Sequence, residues 1–178
     1  MKNNNFTRVP ILEEGDVPEE TRLMFVKWQE ATGKVPEWAR VMAHKPTILK
    51  EFFDLFKVVM GPGEVEELTK WRVAHQTSVL NKCDYCVDVT ELKLKSMGLD
   101  EEKINDVLTD DMNSLSEKDK AAVYYAQETT LKASEVEDSV FENLRRHYTD
   151  AQIVEITSVI GFFNYINRFN DALRVLPE

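Results

Sequence analysis

Apolar residues along this chain recur at steps of three and four, and no stretch shows the alternation of a β-strand. The pattern predicts an all-α fold in a single domain over 19–178, preceded by a polar arm over 1–18. A first helix covers 19–32 and is ended by Gly33. Pro36 and Pro46 suit the first turns of helices over 37–43 and 47–60, and Gly61-Pro62-Gly63 is a break. The pattern resumes over 64–81, where Glu64, Glu66 and Glu67 favour the positive end of a helix dipole. Another helix is expected over 83–98. Asp100 suits the cap of a short helix reaching Leu108.

Ser116 with Asp119, and Ser134 with Glu137, read as capping boxes opening helices to Lys132 and Tyr148. The final helix, over 149–175, carries Ile153, Ile156, Ile160, Phe163, Ile166, Phe169 and Leu173 along one face. Phe162 and Tyr165 widen that face beyond half the circumference, which predicts a homo-oligomer rather than a monomer.

Charge narrows the class of partner. Thirty-two acidic residues against 22 basic ones give a net charge of -10, which disfavours phosphate backbones and anionic lipids. No nucleic acid or membrane partner is expected. The start, Met1 to Asn5, is polar, and the longest apolar runs (121–126 and 159–163) are too short to span a bilayer. A cytoplasmic protein is the expectation, and there two cysteines point to redox or metal chemistry before a structural disulfide.

The two cysteines, Cys83 and Cys86, stand three residues apart in Cys83-Asp84-Tyr85-Cys86. That spacing places them on one face at a helix start, within reach of a disulfide. Unpaired backbone N–H groups and the dipole there favour thiolate, whereas Asp84 and Asp88 oppose it. The same spacing also suits two inert core thiols. A structural zinc site needs four ligands, and three scattered histidines do not complete one, so no metal is expected. His75 sits among Val65, Leu68 and Val79 on an apolar face, as a core histidine or as a base for a thiol. Eight residues of straight helix, about 12 Å, separate it from Cys83, so contact requires a sharp break near Asn81.

The stretch from Thr77 to Cys86, with Ser78, Asn81, Cys83, Tyr85 and Cys86 at their spacing, resembles the signature of alkylhydroperoxidase D-like proteins. Gly33-Lys34-Val35-Pro36, Ala43-His44-Lys45-Pro46, Leu115-Ser116 through Tyr125-Ala126, and Phe163 through Arg168 resemble the peroxidase-related branch of that carboxymuconolactone decarboxylase superfamily. The resemblance implies an all-α fold assembled as trimers or hexamers. It also implies hydroperoxide reduction through a Cys83–Cys86 disulfide cycle, without cofactor, with re-reduction by a dithiol of thioredoxin or lipoyl type. By the same analogy Cys86 attacks and Cys83 is the more accessible resolving residue.

The family's relay glutamate falls at Trp71 and its relay histidine at Thr90, so that relay does not carry over. His75, Glu67 and Glu91 are the candidate replacements. Asn164, Asn167, Arg168 and Asp171 form a polar stripe read as an architectural network, with Arg168 paired to a carboxylate. Three functions remain: a thiol peroxidase, a redox sensor or scaffold that has lost the relay, and a lactone decarboxylase, whose chemistry does not call for the cysteines.

Overall fold

The computed structural model describes residues 7–109 and 111–177. Among these residues there are nine α-helices and no strand: α1 Glu19–Thr32, α2 Glu37–Met42, α3 Pro46–Met60, α4 Glu67–Leu80, α5 Asp84–Ser96, α6 Glu101–Asp106, α7 Glu117–Lys132, α8 Asp138–Arg145 and α9 Asp150–Leu173. The bounds of α1 match the sequence pattern. Its C-cap, Gly33, has φ of 81°, the left-handed conformation that glycine adopts without steric penalty.

α4 is the spine, packed against α5, α7 and α9. Residues 69–78 of α4 are all buried, although seven of these ten are polar or charged. Each charge has a partner. Lys70, 1% exposed, pairs with Glu155 of α9 and donates to the carbonyls of Val59 and Gly61 at 3.1 and 2.8 Å. Arg72 pairs with Asp119 of α7 at 2.9 Å. Thr77 and Ser78 return their hydroxyls to the carbonyls one turn back, on Val73 and Ala74.

Glu155 also explains why α4 begins at Glu67 and not at 64. Its carboxylate accepts the backbone N–H groups of Glu64 and Val65 at 3.0 and 3.1 Å, holding that segment outside the helix. Gly63 makes room, since a Cβ there would lie 1.9 Å from the Glu155 oxygen.

Aromatic rings dock the first three helices. Trp28 meets Trp38 and Phe53 at 5.7 and 4.7 Å, and Phe52 stacks on Phe162 of α9 at 4.6 Å. Such pairs add about 0.5–1.5 kcal/mol each beyond burial.

Two expectations need correction. The described part of the arm, 7–18, is not a polar tail: Val9, Ile11, Leu12 and Val17 pack on the core, and the Arg8 N–H donates to the Leu173 carbonyl at 2.8 Å. Residues 1–6 of that arm lie outside the described residues. Ser134 does not cap a helix, because α7 runs on into a 3-10 turn at Ala133–Glu135, and α8 starts only at Asp138, after the N-cap Glu137. Ser116 does cap α7, accepting from the Asp119 N–H at 3.1 Å, and α9 opens with a full capping box between Thr149 and Gln152. No helix among the described residues is long and apolar enough to cross a membrane.

Candidate functional site: a buried thiol pair between α4, α5 and α9

The break expected near Asn81 exists. The Cys83 N–H donates to the Ser78 carbonyl and the Lys82 N–H to the Val79 carbonyl, with Lys82 at φ 59°. This is the six-to-one and five-to-two pattern of a Schellman turn, here with lysine where glycine is usual. The chain reverses, and Cys83 becomes the N-cap of α5.

Cys86 lies one turn into α5, and its sulfur is 2.9 Å from that of Cys83, with both cysteines free. Both are buried: Cys83 is 0% exposed and Cys86 4%. Cys83 is therefore not the more accessible of the two, contrary to expectation. As the cap it lies beneath the last turn of α9 and has Asp171 within hydrogen-bonding reach.

α9 completes the site. The Asn170 side-chain amide donates to the Cys86 sulfur at 3.3 Å, and Asn167 is a second donor to it. Asn167 is held in turn: its oxygen accepts from Asn81 at 2.9 Å, and its amide donates to Ser78 at 3.2 Å. Asn81 also donates to Asn164. Of the polar stripe, Asn167 thus reaches the Cys86 sulfur, and Asn170, one step further along α9, reaches it too. Arg168 bonds the carbonyl and side chain of Asn164, and no carboxylate among the described residues. Asn170 escaped the sequence reading, although its three-residue step from Asn164 and Asn167 was a visible signal.

The electrostatics divide the two thiols. The Cys86 pKa is lowered, first by the hydrogen bond from Cys83 and then by the two asparagine amides, against the opposing effect of burial. The Cys83 pKa is raised far above the thiol range by its hydrogen bond to Cys86, by burial and by the Cys86 charge. The pair gives up one proton readily and holds the second tightly, as two coupled acids do. The carboxylate that opposes ionisation at both sulfurs is Asp171 of α9.

His75 does not reach the cysteines' hydrogen bonds. Because α4 and α5 fold back on each other, it meets Thr90, its Nδ1 2.9 Å from the Thr90 hydroxyl. That hydroxyl already donates to the Cys86 carbonyl at 2.8 Å, so it accepts from Nδ1–H and fixes this tautomer. His75 Nε2 is left as a buried acceptor without a hydrogen-bond partner among the described residues. Burial lowers the His75 pKa, and the Glu91 charge partly opposes this.

Glu91 itself pairs with Lys95. Glu67 is exposed and paired with Lys93, which holds its carboxyl below the usual range. Neither acid bonds a thiol. Trp71 is buried against Phe163, and no cluster of potential metal ligands exists among the described residues.

An all-helical chain with paired thiols at a helix start, held by amides from a second helix, defines a class of CxxC helical proteins. Residues 46–128, a little under half of the chain, match the model of the carboxymuconolactone decarboxylase family. The fold is similar to an uncharacterized peroxidase-related protein from Silicibacter sp. TM1040, with TM-score 0.87, 26% identity, and 100% of this chain and 95% of that one covered.

It is also similar in fold to the debrominase Bmp8 in complex with 2,3,4-tribromopyrrole, with TM-score 0.82, 22% identity, and 97% and 92% of the two chains covered. In sequence it resembles the uncharacterized protein YnjA of Escherichia coli (strain K12), 28% identical over 94 residues. That match spans about half of each chain, 52% in both cases.

Proposed function

We propose that the protein is a two-cysteine hydroperoxide reductase. The observation that carries the reading is the polarised pair: the Cys83 thiol and the Asn170 amide both donate to the Cys86 sulfur, at 2.9 and 3.3 Å. Donors aimed at one sulfur favour its thiolate, the form that attacks peroxide. Cys86 then displaces the O–O bond of ROOH: a sulfur–oxygen bond forms, the alkoxide leaves and takes a proton as ROH, and Cys86 becomes a sulfenic acid. Attack by the Cys83 sulfur expels the hydroxyl as water and closes the disulfide. An external dithiol, oxidised to its own disulfide, restores both thiols. Asn170 Oδ1, buried and without a hydrogen-bond partner among the described residues, is an acceptor for the O–H of an incoming hydroperoxide.

The test is consumption of tert-butyl hydroperoxide with dihydrolipoamide as electron donor. Wild type turns over, Cys86→Ser is dead, and Cys83→Ser stops after one oxidation. Absence of any Cys86 oxidation sinks the reading. The loss of the family relay to Trp71 and Thr90 favours a second reading, a redox sensor. In that case both thiols are lost together, once, without sustained turnover.

The proposal extends to assembly. A groove of about 700 Å³ between α3 and α9, lined by Ile48, Leu55, Phe162 and Tyr165 among others, suits a second copy of the chain. Light scattering is expected to give a multiple of 20.6 kDa, and Leu55→Glu to reduce it.

A further inference from the structure

Cys83 poses a problem of its own. Its sulfur must lose a proton to close the disulfide, yet its hydrogen bond to Cys86, burial and the Cys86 charge together oppose that loss. The sulfur is fully buried, so bulk water does not take the proton directly. Among the described residues, one titratable side chain from outside the pair acts on it. Asp171, on the last turn of α9, sits one residue after the asparagine that binds Cys86 and lies within hydrogen-bonding reach of the Cys83 thiol.

Asp171 also faces outward. It is exposed and lines a cleft of about 370 Å³ with Lys82, Asp84, Tyr85, Arg174, Val175 and Leu176. Lys82 and Asp84 flank Cys83 in the chain, so this cleft is lined by both neighbours of the resolving cysteine, whose own sulfur stays buried.

We infer that Asp171 is the proton carrier of Cys83, and that the cleft it lines is where an external dithiol approaches the disulfide. The inference rests on the two-cysteine reading above. In the closing step the Asp171 carboxylate takes the Cys83 proton as the sulfur attacks the Cys86 sulfenic acid. The S–S bond forms, the S–O bond breaks, and the departing hydroxide leaves as water with the proton returned by Asp171. In the opening step a thiolate of the dithiol attacks the Cys83 sulfur. The S–S bond breaks toward Cys86, whose thiolate the amides of Asn167 and Asn170 receive. The Asp171 carboxylate then takes the proton of the dithiol's second thiol, whose sulfur displaces Cys83; Cys83 receives that proton from Asp171, and the dithiol departs as a disulfide.

The groups facing Asp171 fit a carrier. Burial and the Asp84 carboxylate raise its pKa, while the Cys83 hydrogen bond and Arg168 pull it down, and the net direction is upward. A carboxyl moved toward neutrality transfers a proton more readily at working pH. The cationic side chains of Lys82 and Arg174, in the same cleft, suit the anionic form of an arriving thiol.

The experiment is single-turnover oxidation by hydrogen peroxide, with dimedone trapping the sulfenic acid. In Asp171→Asn the sulfenic acid forms no more slowly than in wild type, but closure slows at least about tenfold and the trapped fraction rises. Asp171→Glu restores most of the rate. Closure at the wild-type rate in Asp171→Asn overturns the inference, and so does an equal slowing in Asp171→Glu.

Failure of the peroxidase reading gives a different signature, no trapped sulfenic acid in wild type. The disulfide is then made with diamide and opened by dithiothreitol. Slower release of Cys83 in Asp171→Asn keeps the carrier role, and an unchanged rate removes it. Asp171 is exposed, so circular dichroism of both variants is expected to match wild type.

Discussion

The two ends of α4 bury polar groups in opposite ways. At its start, Lys70 and Arg72 are each matched by a full opposite charge, Glu155 and Asp119, and no proton has reason to move. At its end, Ser78 and Asn81 meet the neutral amides of α9, and the buried groups left to ionise there are the two sulfurs, with Asp171 at their edge. Paired charges fix a geometry. Neutral amides around a thiol select which of two protonation states is stable. The first arrangement builds the fold, and the second builds a reagent.

The contrast breaks most visibly at Lys70. Lys70→Met leaves the partly buried Glu155 without its cation and releases the carbonyls of Val59 and Gly61, with an expected loss of about 3 kcal/mol. Urea denaturation measures this. Peroxide reactivity per folded molecule should be unchanged, and a large loss there would mean that the two ends are not separable.

Asn170→Leu tests the other end. Removing one charge-assisted donor, worth about 1.5–3 kcal/mol, should move Cys86 ionisation to higher pH by about one unit or more and slow peroxide reaction about tenfold at pH 7. Stability should change little. Thiolate absorbance against pH gives the first value, and an unshifted curve would remove Asn170 from the site.

The smallest effect lies between the two ends, at His75. Its folded pKa is lowered from 6.5 by burial, so the unfolded chain binds more protons below that value. Stability is therefore fully present above about pH 6.5 and declines as pH falls toward the folded pKa. His75→Gln, which keeps a donor for Thr90, should flatten that decline. Melting temperatures of both proteins from pH 7 to 5 provide the check.

Much of this was legible in the chain itself. The steps of apolar residues located α1, α7 and α9 closely, because those helices carry caps that compete with nothing else. The start of α4 was misplaced because the N–H groups of Glu64 and Val65 bond Glu155, about ninety residues away, and no local pattern encodes that partner. The cysteines stood out by spacing alone. Their amide shell did not, because asparagines facing a sulfur and asparagines facing water have the same period on a helix. His75 was correctly marked as a buried imidazole in need of a reason. Its partner Thr90 follows only once α4 and α5 are known to fold back on each other.

The burial of both sulfurs has a kinetic side. With Cys83 at 0% and Cys86 at 4% exposure, almost no sulfur surface is open to an oxidant in this conformation. On the hydroperoxide-reductase reading each turnover requires a local opening around the pair, on the microsecond-to-millisecond scale of such motions. That opening sets a ceiling on rate however nucleophilic the sulfur becomes. It also sorts oxidants by girth, admitting the slender ones during brief excursions and turning away those that need a wider, rarer gap.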